Sequence, residues 1–144
     1  MERKGISIAG NILADYVKVV EQFPERGMLA SIVAESLAVG GCVPNTGVDI
    51  KRLDKDFPVY AYGRVGCDDK GKYLIDVMAK EGMDVSGIKQ TATAPTSYSD
   101  VITVKGTGER TFFHNRGANA EFCPEDVDLT RVKGKILHVG YLML

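Results

Sequence analysis

Short apolar strands alternate with amphipathic helices along the chain, and this order constrains the fold more than any other feature. Apolar runs at residues 5–9, 58–62 and 136–140 predict buried strands. Residues 45–53 and 70–81 carry the apolar spacing of helices. Because a repeated strand–helix order is typical of parallel sheets with helical crossovers, we expect an α/β fold.

Two other regions predict strands of a different kind. Residues 16–21 and 29–37 contain β-branched and apolar residues interleaved with polar ones. Residues 97–105 and 109–114 flank a Gly-Thr-Gly turn and predict a hairpin. These strands lack the continuous apolar character of a sheet buried on both faces. We therefore expect them to pack together as one half-exposed β flap.

Three connecting segments carry weaker signals. Residues 63–66 (Gly-Arg-Val-Gly) lie before a helix but form no GxxxxGK[ST] motif, so a tight turn is favoured over a phosphate loop. Residues 67–69 offer a helix cap, and residues 124–126 (Pro-Glu-Asp) predict the first turn of a short helix to Leu129. Residues 141–144 are apolar, and a domain rarely ends on an exposed apolar run.

Composition excludes several classes of function. The 144 residues are enough for one domain with a core, and the net charge of −1 gives no broad electrostatic case for binding nucleic acid or an anionic membrane. No apolar run approaches a membrane span, and the first residues lead into no signal-peptide pattern, so we expect a cytoplasmic protein. The three cysteines are widely spaced without a CxxC, which makes a zinc site improbable.

A double glycine precedes the first predicted helix. Gly40 and Gly41 allow a sharp turn and a close approach of another molecule to the backbone, and Pro44 suits a first helical turn. Asn45 or Thr46 could cap the helix. A bare loop that leads into a helix N-terminus favours oxygen-rich or anionic ligands. On these residues alone, however, a tight turn without a ligand is favoured, because Gly-Gly is common in turns. Cys42 would be reactive only if a ligand pocket formed there.

Two polar residues follow the first predicted strand. Asn11 and Asp15 lie where open α/β sheets bind ligands, at the carboxyl ends of their strands. Both residue types also stabilise turns by bonding to their own backbone. The residues alone leave a binding role and a turn role equally open.

Five segments, taken in order, resemble the amino-terminal half of a ribokinase-type (PfkB) carbohydrate kinase. They are GNILAD at 10–15, GGCVPN at 40–45, GRVGCDDKG at 63–71, EGMDVSGI at 81–88 and GERTFFHNRGANA at 108–120. The resemblance covers residues 6–144 and fits sugar kinases better than adenosine kinases. It implies a Rossmann-like parallel sheet with helices on both faces and a small β-lid, which covers the sugar and often forms a dimer contact.

The resemblance also implies a set of sugar-binding residues. A carboxylate, two glycines and an amide would hold sugar hydroxyls: Asp15, Gly40, Gly41 and Asn45. Asn11 is a secondary candidate. Three residues near the return of the lid are weaker candidates, with a structural role favoured for each: His114, Arg116 and Asn119.

The expected organisation is one incomplete domain over residues 1–144. Its core would comprise residues 1–13, 38–94 and 116–144, and its β-lid residues 14–37 and 95–115. The later family segment that ends in GAGD, which steadies the phosphoryl group and supplies the base, does not occur in this sequence. The resemblance implies ATP and Mg²⁺ for an intact family member, but we expect neither to bind well to this chain alone.

These inferences favour the substrate-binding half of an ATP-dependent sugar kinase, inactive by itself and either a fragment, a truncated gene product or part of a longer protein. A non-catalytic sugar-binding or dimerising remnant is one alternative, and half of a nucleoside kinase is another. An unpaired last strand would expose a sheet edge, so we expect a homo-oligomer formed through the lid and this edge.

Overall fold

The computed structural model describes residues 2–140, and the apolar run at residues 141–144 lies outside the described residues. The chain forms two four-stranded sheets. The strands are β1 (Ile6–Ala9), β2 (Leu13–Val20), β3 (Ile32–Gly40), β4 (Val59–Gly66), β5 (Asp84–Thr91), β6 (Tyr98–Val104), β7 (Arg110–Asn115) and β8 (Ile136–Val139). The helices are α1 (Cys42–Leu53) and α2 (Asp69–Lys80), with short 3-10 helices at Gly117–Glu121 and Pro124–Asp126.

The first sheet, which we call the core sheet, has the strand order β5-β4-β1-β8, and all its strands are parallel. This confirms the predicted α/β architecture. Because side chains alternate along a strand, Ile8 and Ala61 join α1 and α2 in the main apolar cluster, whereas Ala9 and Tyr62 project to the other face. The second face packs against Val132 and the segment that carries the 3-10 helices.

The second sheet, which we call the lid sheet, has the order β3-β2-β6-β7. It unites both predicted β regions in one flap, and the predicted hairpin is β6–β7. Strands β2 and β6 pair in parallel, which joins the two regions. Tyr16 and Tyr98 meet edge to face beside the main apolar cluster and fix the lid sheet to the core.

Helix α1 begins three residues earlier than predicted. Gly41 is its N-cap, with a φ of 96° and no side-chain cap, so the expected cap at Asn45 or Thr46 is wrong. Asn45 lies inside the helix and donates its backbone N–H to the Gly41 carbonyl over 3.2 Å. The left-handed φ explains why this cap is a glycine rather than Ser, Thr or Asp.

Two other local predictions are wrong. Residues 63–66 form the end of β4 rather than a tight turn. Gly63 is required there because a Cβ would meet the Ile12 side chain and the Gly10 carbonyl. The helix predicted to reach Leu129 is a single 3-10 turn at Pro124–Asp126. The predicted cap of α2 is confirmed, since the Asp68 side chain accepts the Gly71 N–H over 2.9 Å.

The last strand is exposed rather than buried as its sequence predicts. Strand β8 pairs with β1 along one edge, and all four of its residues are exposed. Within residues 2–140, the sheet gives β8 no partner on its other edge. Among the same residues, none of the helices has the length and apolar character needed to cross a membrane.

Candidate functional site

Asp15 lies on β2, directly beside Gly40 at the end of β3. If Gly40 carried a Cβ, that atom would overlap the Asp15 Oδ2 and touch the Leu13 side chain. Leu13 pairs with Gly40, and Asp15 pairs with Ala38, so these positions share one face of the lid sheet. The absence of a side chain at Gly40 therefore makes room for the Asp15 carboxylate.

The environment of Asp15 disfavours its charge. Burial raises the pKa of the Asp15 carboxyl, and this effect exceeds the opposing effects of a hydrogen bond from Ser99 and the nearby His114. Half-buried carboxylates with few partners are costly to keep in a fold. Such a group is a candidate for binding a ligand that brings hydroxyl donors.

Gly41 and Asn11 meet at the N-terminus of α1. A Cβ on Gly41 would run into the Asn11 carbonyl, so this glycine is needed for packing inside the chain. The Asn11 carbonyl also accepts the Val43 N–H over 3.3 Å. Asn11 itself is 4% exposed. The loop after β1 thus closes over the helix N-terminus and occupies one of its free amides.

Asn45 is exposed and lies one turn into α1. Its side chain lines a cavity of about 180 Å³ together with Val39, Asp49 and Arg52 among others. Val39 immediately precedes Gly40 but pairs with Ala14, on the face opposite Asp15. The structure therefore groups Asn45 with α1 and the core-facing side of β3 rather than with the carboxylate.

Cys42 has the character of a packed core residue. It is 5% exposed, and its Sγ lies 3.8 Å from the Asn11 carbonyl oxygen. Burial raises the pKa of the Cys42 thiol, which disfavours the reactive thiolate. The structure does not support the hypothesis of a reactive cysteine at this loop.

His114 is connected to Asp15 through Ser99, a residue that the sequence did not indicate as part of the site. Its Nδ1 lies 3.0 Å from the Ser99 Oγ, and Ser99 pairs with both Asp15 and His114 across the lid sheet. We call Asp15, Gly40, Ser99 and His114 the carboxylate site. The alternation of apolar and polar residues along β6 indicates which face of the strand carries Ser99. Only the folded sheet, however, shows that Ser99 lies opposite Asp15.

The return of the lid is tied to the loop after β1. Asn119 is 3% exposed, and its side-chain Oδ1 accepts the Ile12 N–H over 3.2 Å. The Arg116 carbonyl accepts the Ser97 hydroxyl, and Arg116 is the N-cap of the first 3-10 helix. These contacts agree with structural roles. The Asn119 Nδ2 is buried and has no hydrogen-bond partner among residues 2–140.

The described residues do not fit a metal ion. Between residues 2 and 140, no group of three His, Cys, Asp or Glu side chains is placed to hold one. Near the 3-10 helices, the acidic side chains of Glu121 and Asp126 are engaged by cations. Asp126, for example, lies 2.6 Å from Arg64 and 3.1 Å from Lys89.

Comparison with known proteins identifies the family. Residues 3–143 match the pfkB family carbohydrate kinase. The chain belongs to this family. It is 30% identical over 138 residues to the probable fructokinase-7 of Arabidopsis thaliana, and the match covers 94% of this chain but 38% of that protein. The expected resemblance to carbohydrate kinases is therefore confirmed.

Solved structures show how much of the pfkB fold is present. A ribokinase from Thermotoga maritima superposes with a TM-score of 0.80 at 26% identity, over 93% of this chain and 44% of that one. Arabidopsis thaliana ribokinase, solved with ribose and ATP, gives a TM-score of 0.80 at 21% identity, over 96% and 45% of the two chains. The pfkB chain described here thus spans less than half the length of these relatives.

Proposed function

We propose that this chain is the substrate-binding half of an ATP-dependent sugar kinase, in which Asp15 accepts hydrogen bonds from sugar hydroxyls. The observation that carries the proposal is the half-buried Asp15 carboxylate held over Gly40 in a pfkB chain. A carboxylate has about four acceptor positions, and Ser99 uses one of them. The others are available to hydroxyl groups. The proposed location is the cytoplasm, as expected from the sequence.

The other candidate residues contribute to the proposed sugar site in different ways. Gly41 and Asn11 shape the loop beside the α1 N-terminus, where backbone amides could meet the sugar. Asn45 would contribute its exposed amide from α1. The Asn119 Nδ2, which has no hydrogen-bond partner within residues 2–140, is a buried donor that a ligand could satisfy. His114 acts through Ser99, and Arg116 borders the lid sheet.

The proposed division into a core and a lid follows the two sheets. Residues 14–37 and 95–115 would form the lid that covers the sugar, and the rest would form one incomplete kinase domain. The lid sheet meets the core beside Asp15, at the junction between β2 and the loop after β1. A sugar bound there would contact both sheets.

ATP and Mg²⁺ belong to the proposal only for an intact kinase. The described residues offer no cluster for a metal ion, and the sequence contains no GAGD segment. Phosphoryl transfer depends on groups that position the phosphates and stabilise their charge. We therefore assign neither ATP nor Mg²⁺ to a residue of this chain and expect it to transfer no phosphate alone.

Sugar binding to the 144-residue chain tests the proposal. D-fructose, D-ribose and adenosine are each titrated while the melting temperature Tm is recorded, because a ligand that binds the folded state raises Tm. We expect a sugar to raise Tm, and Asp15→Ala to abolish that rise. Asp76→Ala, which removes an exposed carboxylate from α2, is the control and should keep it.

Two outcomes would contradict this assignment. A Tm rise with adenosine and none with either sugar would favour a nucleoside kinase, and undiminished sugar binding by Asp15→Ala would exclude the proposed role of the carboxylate. Sugar-dependent release of ADP by the chain alone would overturn its proposed inactivity. Sequencing the DNA after codon 144 separates a kinase, whose reading frame continues to a GAGD segment, from a remnant.

A further inference from the structure

Asp15, Ser99 and His114 form one row across three strands of the lid sheet. Asp15 pairs with Ser99 in the parallel β2–β6 register, and Ser99 pairs with His114 in the antiparallel β6–β7 register. Directly paired residues project to the same face of a sheet, and in an antiparallel pair such as Ser99 and His114 the Cβ atoms are about 4.5–5.5 Å apart. The row therefore brings a carboxylate, a hydroxyl and an imidazole together in the order of a hydrogen-bonded chain.

The direction of the hydrogen bonds follows from the number of protons available. An ionised carboxylate can only accept hydrogen bonds, and the Ser99 hydroxyl, which lies beside Asp15 in the β2–β6 register, opposes the rise of the Asp15 pKa as a donor to it. The Ser99 Oγ, 3.0 Å from the His114 Nδ1, must then accept a proton from that nitrogen. Both the imidazolium and the neutral Nδ1–H form of His114 can supply this bond.

Neighbouring residues on β6 and β3 limit the movement of the Asp15 carboxylate. Ser99 is 7% exposed, and the Asp15 Oδ2 occupies the position that a Cβ on Gly40 would need. On β3, the residue paired with Asp15 is Ala38, which carries no charge. Lys18, on the same strand as Asp15, and Asp100, next to Ser99 on β6, form an ion pair with each other. Because side chains alternate along a strand, both project to the face opposite Asp15 and Ser99.

We propose that Ser99 and His114 are positioning residues, which hold the Asp15 carboxylate in one orientation with its remaining lone pairs directed at the substrate hydroxyls. This inference rests on the proposed role of Asp15 in sugar binding. His114 orders the hydroxyl of Ser99, and Ser99 fixes the carboxylate against Gly40. Without either residue the carboxylate can rotate, and each sugar that binds must order it again.

The first test measures the pKa of Asp15 by NMR titration of its side-chain carboxyl carbon, in the absence of any ligand. Ser99→Ala removes the hydroxyl that stabilises the charged carboxylate, and His114→Gln removes the imidazole whose electrostatic effect lowers the Asp15 pKa. Each should raise the Asp15 pKa by roughly half a unit to one unit. Ser99→Thr keeps a hydroxyl and should leave the pKa close to that of the parent chain.

Thr103→Ala is the matched control for this test. It deletes a hydroxyl from the same face of β6, four positions from Ser99 and opposite Val19. We expect it to leave the Asp15 pKa unchanged. An Asp15 pKa that stays constant in Ser99→Ala or in His114→Gln, in folded protein, would overturn the proposed chain of hydrogen bonds.

The second test measures the dissociation constant of the sugar that raises Tm in the parent chain. Ser99→Ala and His114→Gln should each weaken binding about fivefold, which corresponds to roughly 1 kcal/mol. Ser99→Thr and Thr103→Ala should bind as the parent does. If Ser99 and His114 served only the fold, their substitution would lower Tm but would not weaken sugar binding in Ser99→Ala while Ser99→Thr keeps it.

The two tests separate failure of the inference from failure of the proposed function. If the parent binds sugar and both variants bind it equally well, the positioning role is wrong while the function stands. If the parent binds neither D-fructose nor D-ribose, the proposed function fails, and the orientation toward sugar hydroxyls fails with it. The Asp15 pKa then still decides whether Ser99 and His114 restrain the carboxylate.

Discussion

The Asp15 carboxylate is the residue on which the proposed function depends most directly. Its burial raises the pKa of the carboxyl, which means that the folded state holds the charged form less readily than the unfolded chain does. A neutral side chain of the same size would fit beside Gly40 at a lower cost. A charge retained in this position is consistent with selection for binding rather than for stability.

The pH dependence of stability provides a residue-scale prediction. Because the folded pKa of Asp15 lies above its unfolded pKa, the contribution of Asp15 to stability is fully present below the unfolded pKa and is lost as pH rises through the folded pKa. Asp15→Asn should therefore raise Tm at pH 7, because the amide carries no charge to be desolvated. Thermal unfolding followed by circular dichroism at several pH values measures this difference.

The same variant should show the opposite effect on binding, because an amide cannot replace both acceptor oxygens. The Tm difference from the parent should shrink as pH falls below the range in which Asp15 ionises. Asp76→Asn, which changes an exposed carboxylate, serves as the control. A lower Tm for Asp15→Asn at neutral pH would show that the charged group stabilises the fold, contrary to this account.

At the scale of elements, the junction between β3 and α1 explains the double glycine. Gly40 ends β3 and leaves space for the Asp15 carboxylate, while Gly41 starts α1 with a left-handed φ and lies against the Asn11 backbone. The two glycines thus serve two different neighbours. Only the space beside Gly40 bears directly on the carboxylate site.

Gly40→Ala tests this division by a double-mutant cycle. In the parent chain the added methyl group should overlap the Asp15 Oδ2 and destabilise the fold by about 1–3 kcal/mol. In an Asp15→Ala background the penalty should be smaller, because the overlapping oxygen is gone. Chemical denaturation of the four proteins gives the coupling free energy.

Gly106→Ala is the control for the added methyl group. Gly106 lies in the turn of the β6–β7 hairpin, and a Cβ there would meet nothing within 4 Å. Its substitution should change stability little and leave sugar binding intact. Additive effects of Gly40→Ala and Asp15→Ala would mean that the overlap with the carboxylate does not set the cost at Gly40.

The elements themselves were largely predictable, since they depend on local apolar spacing. Strands β1, β6 and β7 and helix α2 lie close to where the sequence indicates them. The errors occur where a glycine serves a tertiary contact. Gly63 indicated a turn but makes room for Ile12 within β4, and Gly41 caps α1 in place of a polar side chain.

At the scale of the whole molecule, the strand–helix order and the two β-rich regions predicted the α/β fold and its flap, but the carboxylate site depends on strand pairing that the sequence does not show. The parallel β2–β6 register joins residues 84 positions apart and brings Ser99 beside Asp15. No local pattern distinguishes this register from one shifted by a residue, which would turn Ser99 to the other face. Ser99 was missed for this reason.

The exposed edge of the core sheet is a second feature of the whole molecule, and it bears on association between chains. Strand β8 exposes Ile136 and Val139 by 56% and 52%, and an apolar groove of about 270 Å³ lies beside it. The groove is lined by Ala9, Phe122, Cys123, Pro124, Val127, Leu129, Leu137 and Val139. Unpaired strand edges with adjacent apolar surface favour association with another strand.

The lid sheet offers a second apolar surface. Strands β3 and β7 expose large apolar side chains by 41% to 58%, namely Ile32, Val33, Leu37, Phe112 and Phe113. We propose that the 144-residue chain forms homo-oligomers through both the lid sheet and the β8 edge. Two separate surfaces of this kind would allow assembly beyond a dimer.

Light scattering coupled to size-exclusion chromatography tests this proposal over a range of protein concentrations. Val139→Lys places a charge on the β8 edge and should reduce the average mass by removing one of two contacts, because burying an unpaired charge is costly. Phe113→Lys should act in the same way on the lid sheet, and the two substitutions together should give a monomer. Leu53→Lys, at an apolar residue that is 88% exposed at the end of α1, should leave the mass unchanged. A parent chain that remains monomeric at high concentration would contradict both contacts, whereas a mass lowered by Phe113→Lys alone would restrict assembly to the lid sheet.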